Sequence, residues 1–197
     1  DGQNCILLFG GSNQCVTQEQ IKDTLSHFEA GDYLLLQNEV NNISEIVNEG
    51  YDRGMKIVLN PSPYNELIDT VDLDKISWLL VNEIEAQQLS GSEDPEEVWK
   101  ILHSRYPKLS LLVTLGGRGC AAFTAQETVQ QDAFLVKAVD TTAAGDTFTG
   151  FFIAGFMEGR SLPDCLRRAG MASSISVTRP GAASSIPTKE EVEARLN

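Results

Sequence analysis

The chain has 197 residues, with 28 acidic against 15 basic side chains and a formal net charge of −13. Such a charge argues against binding to nucleic acid or an anionic membrane, which needs clustered Lys and Arg. No run approaches the roughly 18 apolar residues of a membrane span, and we expect no signal peptide. The length suits one hydrophobic core, and we expect a single domain over residues 1–197.

The cysteines and histidines exclude several other kinds of site. The four cysteines show neither CxxC nor zinc-ligand spacing and are Cys5, Cys15, Cys120 and Cys165. We therefore expect reduced thiols, with Cys120 and Cys165 in the core, and a cytoplasmic protein. The two histidines, His27 and His103, fall in predicted surface helices. A His-based catalytic triad or metal site is not expected.

Short apolar runs predict the first strands of the fold. They cover residues 5–9, 33–37, 56–60, 78–82 and 111–115. Most are apolar on both faces, which is typical of parallel strands covered by helices. Helical patterns lie between them, and this alternation predicts an α/β fold with a doubly wound, mostly parallel sheet flanked by helices.

Helix starts are marked by capping residues. Capping-box patterns, in which the first and fourth residues exchange hydrogen bonds, occur at Thr17 and at Asn42. Asp94 precedes Pro95, which suits the first helical position. After the strand at 111–115, residues 120–125 and 133–139 predict two more strands, paired like a hairpin at one edge. Helices then follow from Asp146, over 162–177 and from Thr188.

The stretch "DTTAAGDTFTG", residues 140–150, places Asp146 between a turn of small residues and an apolar helix. Asp146 could simply favour the positive end of the helix, although Thr142 could already cap it. Alternatively, the small residues of the turn leave helix N–H groups open to an anion. A carboxylate beside a bound anion is suited to accept a proton from an attacking nucleophile, which indicates phosphoryl transfer to a hydroxyl.

Three other stretches each allow a structural and a functional interpretation. "TLGGRG" (114–119) is a flexible turn or a loop under a ligand at the carboxyl edge of the sheet. "NEIEA" (82–86) is a capping box or a site near a metal–phosphate. "SVTRPGAASSIP" (176–187) is a connector or a loop around a monovalent cation. The dinucleotide pattern in "GGRGCA" (117–122) is rejected because a strand, not a helix, is predicted after the glycines.

In order, "LLLQNE", "LNPSP", "VNEIEA", "TLGGRG", "DTTAAGDTFTG" and "SVTRPGAASSIP" resemble the PfkB carbohydrate kinase family, and most of all its ribokinase-like members. The resemblance runs over essentially the whole chain. It implies a ribokinase-like fold, ATP and a small-molecule sugar as substrates, Mg²⁺ and K⁺ as ions, and neither nucleic acid nor membrane as a partner.

The resemblance also implies roles for individual residues. Asp146 would be the catalytic base, and Ala143, Ala144 and Gly145 with Asp146 would form the anion hole. Asn82 with Glu85 would organise Mg²⁺ and phosphate, and Glu39 with Asp146 would contact the sugar. The nucleotide would lie on a loop and beside further positions, namely Asn82, Thr114, Leu115, Gly116, Gly117, Arg118, Gly119, Gly145 and Gly170. The monovalent cation would be held by Asp140, Thr142, Ser176, Arg179, Gly181 and Ser185.

The same resemblance suggests an N-terminally truncated domain. The family's first strand, much of its sugar pocket and its lid would precede Asp1. Two functions then remain open: a sugar kinase whose full-length form is active, or a catalytically inactive remnant that binds nucleotide. Without a preceding strand, the strand at 33–37 would have an unpaired edge, and we expect a possible homo-oligomer through it.

Overall fold

The computed structural model describes residues 9–196, so Cys5 and residues 5–8 of the first predicted strand lie outside the described residues. Six strands follow in chain order: β1 (Tyr33–Gln37), β2 (Lys56–Asn60), β3 (Trp78–Asn82), β4 (Ser110–Thr114), β5 (Cys120–Phe123) and β6 (Thr128–Gln131). The α-helices are α1 (Gln18–Leu25), α2 (Ile43–Asp52), α3 (Glu83–Ser90), α4 (Pro95–Arg105), α5 (Ala144–Met157), α6 (Leu162–Ser176) and α7 (Lys189–Leu196). Among these described helices, none combines the length and the apolar character needed to cross a membrane.

The strands form one mostly parallel sheet, which confirms the predicted α/β fold. Strands β1 to β4 are parallel, β5 and β6 are antiparallel additions, and the spatial order follows the chain. No reversal of strand order therefore occurs within the described sheet, and β1 lies at one edge. The carboxyl ends of the four parallel strands all reach the same side of the sheet, where α/β folds bind their ligands.

Helices cover both faces of the sheet because alternate residues of each strand point to opposite sides. In β3, Leu79 and Val81 pack with the apolar face of α1 to α4. Trp78 and Leu80 pack with α5 and α6 on the other face. The Trp78 ring meets Phe152 edge to face, with 5.1 Å between ring centroids. The central strands are thus buried on both sides, as their apolar sequence predicts.

The second antiparallel strand differs from the prediction. Residues 133–139 form no strand, and β6 begins earlier, at Thr128. A tight turn sets this register, since the Thr124 N–H donates to the Glu127 carbonyl and the Thr124 hydroxyl accepts from the Glu127 N–H. The segment 133–139 instead has Leu135 largely exposed. The apolar composition of this segment predicted a strand, but residues 128–131 form β6 and pair with β5 along the edge that the predicted strand would have occupied.

Most helix starts agree with their capping residues. Thr17 and Asp94 accept hydrogen bonds from the first turns of α1 and α4, and Thr188 exchanges them with Glu191. The capping box predicted at Asn42 is wrong. Asn42 is left-handed, with φ of 58°, and its amide donates to the Val16 carbonyl at 2.8 Å instead of capping α2.

Helices α5 and α6 pack against each other with almost no gap. A Cβ atom added to Gly155 would lie 2.7 Å from the Sγ of Cys165, so only glycine fits there. Towards the other end of the seam, the Ser173 hydroxyl donates to the Ala144 carbonyl at 3.1 Å. Cys165 and Cys120 are buried, as predicted, and burial raises the pKa of Cys165 to about 11 and that of Cys120 to about 12.

Candidate active site

The start of α5 is free of side-chain caps. Ala143 is left-handed, with φ of 58°, and no side chain caps the helix, so Thr142, which its position would have allowed to cap it, does not do so. The Thr142 N–H instead donates to Asp140 at 2.9 Å. The Ala144 N–H donates to the Thr141 carbonyl, whereas those of Gly145 and Asp146 have no hydrogen-bond partner within residues 9–196. Two open N–H groups at the positive end of a helix suit an anion.

The Asp146 side chain does not cap the helix. Its Oδ1 accepts a hydrogen bond of 3.0 Å from the side-chain amide of Gln37, at the carboxyl end of β1. Residues 109 positions apart in the chain thus meet because β1 ends opposite the start of α5. The carboxylate is exposed, and it is therefore accessible to a substrate hydroxyl.

Two cavities adjoin at this helix start. The smaller one, of about 190 Å³, is lined by the ends of β1 to β4 and the first turn of α5, with Gln37, Asn82, Glu85 and Asp146 among its polar residues. The larger one, of about 380 Å³, lies between the β5–β6 hairpin and α6. The residues that line both cavities are Thr114, Thr141, Ala144 and Gly145. The open N–H group of Gly145 therefore lies at the junction between the cavities.

The glycine loop after β4 faces the larger cavity. Gly116, Gly117 and Gly119 line it, and a Cβ atom at Gly116 or Gly117 would meet nothing within 4 Å. Gly119 is required for a different reason, since its φ is 99° and a Cβ atom there would lie 2.0 Å from the Gln131 carbonyl oxygen. Both interpretations of the loop, as a turn and as a loop under a ligand, thus have support. Gly119 is needed for the turn of the hairpin, whereas Gly116 and Gly117 leave space beside the cavity.

The other predicted nucleotide residues are divided. Gly170 and Thr114 line the larger cavity, where the Phe134 ring lies 3.6 Å from the position of a Gly170 Cβ atom. Leu115 and Arg118 line neither of the two cavities. The Leu115 side chain packs against the core, and Arg118 pairs with Glu83.

Asn82 and Glu85 form a capping box and also line the smaller cavity. The Glu85 N–H donates to Asn82 Oδ1 at 2.9 Å, and the Asn82 N–H donates to Glu85 Oε2 at 3.0 Å. Glu85 is only 5% exposed. The two interpretations of "NEIEA" are therefore compatible, because the cap fixes one carboxylate oxygen and leaves Oε1 without a hydrogen bond within residues 9–196.

The predicted cation residues gather around Asp140. Its carboxylate accepts from the N–H of Thr142 and, at 2.9 Å, from that of Gly181. Hydrogen bonds from the Thr142 side chain, the Gly181 N–H and the Thr142 N–H lower the pKa of Asp140 to about 2. The carboxylate is thus a fixed negative charge near neutral pH, and it links the loop after α6 to the turn before α5.

Ser176 and Ser185 lie at the two ends of that loop. Both are fully buried, and their hydroxyl oxygens are 2.9 Å apart. The Arg179 side chain points elsewhere and forms an ion pair of 2.6 Å with Glu191. Within residues 9–196, no cluster of three or more His, Cys, Asp or Glu side chains is arranged to hold a metal ion.

Glu39 is not brought to Asp146. It is exposed, lines neither cavity, and accepts at its backbone carbonyl from Gln14. The residue that does contact Asp146 is Gln37, which sequence reasoning did not single out. Asn60 and Ser62, at the end of β2, also line the smaller cavity and were not singled out. Both are polar residues at or just after the carboxyl end of a predicted strand, and this position in the sequence could have identified them as candidate site residues.

Known proteins share this sequence pattern. A family model described as pfkB family carbohydrate kinase matches residues 1–189. The chain is similar to a ribokinase of Haemophilus influenzae, with 33% identity over 196 residues that cover 96% of this chain and 63% of that protein. It is also similar to a ribokinase of Bacillus subtilis, with 32% identity over 199 residues that cover 100% and 66%.

Solved structures agree with the fold. The ribokinase of Thermotoga maritima superposes with a TM-score of 0.84 at 36% identity, covering 99% of this chain and 66% of that one. The Arabidopsis thaliana ribokinase, complexed with ribose and ATP, gives a TM-score of 0.84 at 30% identity and covers 100% and 66%. Because the matches extend over almost all of this chain, they do not bear out the expectation that it corresponds to the C-terminal part of the family alone.

The chain spans just under two thirds of the length of the curated relatives named above. The matched family model nevertheless covers residues 1–189, and identity with relatives exceeds 30% over nearly the whole chain. On this evidence, the chain belongs to the pfkB family of carbohydrate kinases.

Proposed function

We propose that the protein carrying this chain transfers the terminal phosphoryl group of ATP to a sugar hydroxyl. The observation that supports this most is the meeting of an exposed carboxylate, Asp146, with two open N–H groups where two cavities adjoin. The larger cavity would take the nucleotide and the smaller one the acceptor side of the reaction. Ribokinases among its relatives, one of them solved with ribose and ATP, support a sugar as the acceptor.

In the proposed reaction, Asp146 accepts the proton of the attacking hydroxyl as general base. The sugar oxygen forms a bond to the γ-phosphorus, and the bond from that phosphorus to the bridging oxygen breaks, with its electron pair leaving on ADP. The N–H groups of Gly145 and Asp146 stabilise negative charge on the transferred group. The Ala144 N–H is already bonded to the Thr141 carbonyl, so Ala144 would shape the anion site by the position of its backbone and not as a hydrogen-bond donor.

Asn82 and Glu85 would lie beside Mg²⁺ and the phosphates. The residues fit this role indirectly: Glu85 is a buried carboxylate with one oxygen free of the cap, and oxygen ligands suit Mg²⁺. Mg²⁺ would neutralise phosphate charge. No Lys or Arg lines the smaller cavity within the described residues, so the chain's own contribution there is positioning and the helix start.

We also propose a monovalent-cation site at Asp140, Thr142 and the 176–185 loop. A fixed carboxylate and two buried hydroxyls are oxygen donors of the kind that K⁺ accepts, whereas Arg179 would contribute only its backbone carbonyl, since its side chain is paired with Glu191. A cation that ordered this loop would also stiffen the turn before α5, because the Asp140 carboxylate accepts hydrogen bonds from both Gly181 in the loop and Thr142 in the turn.

Potassium is therefore expected to raise the turnover of the intact protein. The measurement compares initial rates in potassium, sodium and tetramethylammonium chloride at equal ionic strength and saturating ATP and sugar. An Asp140→Asn variant, which removes the charge but keeps the shape, is expected to lose most of the potassium response. Equal wild-type rates in all three salts would contradict the cation site.

In either case, we propose that the 197 residues form a single domain. A second candidate function is that of a protein that binds nucleotide without phosphorylating sugar. The observation that favours this candidate is that the chain spans just under two thirds of its curated relatives. An assay of ADP release with ATP and a panel of pentoses and hexoses decides between the two. Sugar-dependent ADP release supports the kinase, and nucleotide binding without it supports the second candidate. A cytoplasmic location stays a prediction.

We further propose that the β1 edge forms contacts between copies of the chain. Among residues 9–196, β1 pairs only with β2, and Leu35 on it is 45% exposed. An unpaired strand edge with an apolar side chain tends to pair with another strand. Light scattering is expected to give a mass above that of one chain, and a Leu35→Lys variant should reduce it. A wild-type monomer at all concentrations would refute the contact.

A further inference from the structure

We propose that Gln37 is a positioning residue for the catalytic base, an inference that rests on the proposed function. Its side-chain amide is 3.0 Å from Asp146 Oδ1, and both residues line the smaller cavity. Gln37 ends β1, where it lies in register with Asn60 at the end of β2. The base is thus held by a strand and not only by its own helix.

The chemistry of the contact fixes its direction. A carboxylate only accepts hydrogen bonds, so the NH₂ end of the Gln37 amide must face it, while the carbonyl end would repel it. Asp146 is otherwise exposed on the first turn of α5, and no other side chain within residues 9–196 donates to it. Among the side chains of residues 9–196, Gln37 is therefore the one whose hydrogen bond limits the rotation of this carboxylate.

The contact gives the two oxygens of the Asp146 carboxylate different roles in the reaction. With Oδ1 engaged by Gln37, Oδ2 is the oxygen left for the acceptor hydroxyl. Holding a reacting group in a near-attack geometry can change a rate by about 10²-fold for a displacement of about 1 Å. Such a restraint acts on the chemical step, so it should appear in kcat and leave the KM for ATP, whose cavity Gln37 does not line, unchanged.

The contact also predicts which substitutions matter. Gln37→Met keeps the length of the side chain and removes the donor. Gln37→Glu keeps the shape but places a second carboxylate against Asp146, and like charges at this distance disfavour the ionised base. Gln37→Glu should therefore be worse than Gln37→Met if the hydrogen bond matters, and better if only polar shape matters.

The test uses the intact protein, with kcat and the KM values for ATP and sugar measured for the wild type, Gln37→Met, Gln37→Glu and a matched control, Gln88→Met. Gln88 is an exposed glutamine on α3 that lines neither cavity. We expect kcat to fall about 10- to 100-fold in Gln37→Met and further in Gln37→Glu, with the KM for ATP and the control unchanged. Thermal melting checks that each variant folds.

Two outcomes overturn different claims. If the wild type shows no sugar phosphorylation, the proposed function fails and takes this inference with it. If the wild type phosphorylates sugar and a folded Gln37→Met variant keeps its kcat, or if the KM for ATP rises while kcat does not fall, the inference about Gln37 alone is wrong. Should Gln37→Met fail to fold, the same comparison rests on Gln37→Glu, in which a kcat equal to that of the wild type also refutes the inference.

Discussion

Replacing Asp146 with asparagine is expected to abolish nearly all phosphoryl transfer by the intact protein while leaving ATP affinity close to that of the wild type. The amide keeps the size of the side chain but cannot accept the proton of the attacking hydroxyl. Loss of a general base typically lowers a rate by about 10²–10⁴-fold. The helix start that would bind phosphate is backbone, so it survives the substitution.

The measurement pairs a single-turnover kinase assay with ATP binding by calorimetry. Asp164→Asn is a suitable control, since Asp164 is an exposed acidic residue in the first turn of α6 and makes the same change in charge. A variant at Asp146 that retained more than a tenth of the wild-type rate, under saturating ATP and sugar, would show that another group takes the proton.

Gly119→Ala is expected to lower the free energy of unfolding by about 3 kcal/mol or more, since backbone strain and steric overlap each contribute on the order of 1–3 kcal/mol. Gly119 has φ of 99° and ψ of −132°, a conformation that residues with a Cβ atom rarely adopt. The added methyl group would also lie 2.0 Å from the Gln131 carbonyl oxygen and 2.7 Å from the Ala133 nitrogen. Both obstacles are backbone atoms, so neither can move without displacing the end of β6.

The same loop provides the control. A Cβ atom at Gly117 meets nothing within 4 Å, and Gly117 has no positive φ, so Gly117→Ala should change stability by no more than about 0.5 kcal/mol. Urea unfolding of the two variants beside the wild type makes the comparison. If both variants unfold at the same urea concentration, the hairpin does not depend on the conformation of Gly119.

Local patterns were enough to predict the parallel part of the sheet. The predicted strands at 33–37, 56–60 and 78–82 coincide with β1, β2 and β3, and that at 111–115 is displaced by one residue. These runs are apolar because helices cover both of their faces, so composition alone carries the information. The open start of α5 was also predictable, since it depends on consecutive small residues that cannot cap the helix.

The predictions that were wrong, and the contact that was missed, depend on which segments distant in the chain meet in the fold. Residues 133–139 have the composition of a strand, but the β5–β6 turn sets the pairing through hydrogen bonds of Thr124. Asn42 has the spacing of a capping residue, yet its amide reaches Val16, 26 positions away. Gln37 contacts Asp146 only because β1 ends opposite α5. No local periodicity records contacts of this kind.

The close packing of α5 against α6 has a thermodynamic consequence. The start of α5, where we propose the phosphate site, and the loop after α6, where we propose the cation site, lie at the same end of this pair of helices and are joined there by the Ser173 bond to Ala144. Two ligands bound at coupled sites change one another's affinity by the same factor. If both proposed sites hold, the factor by which K⁺ raises the affinity for ATP equals the factor by which ATP raises the affinity for K⁺.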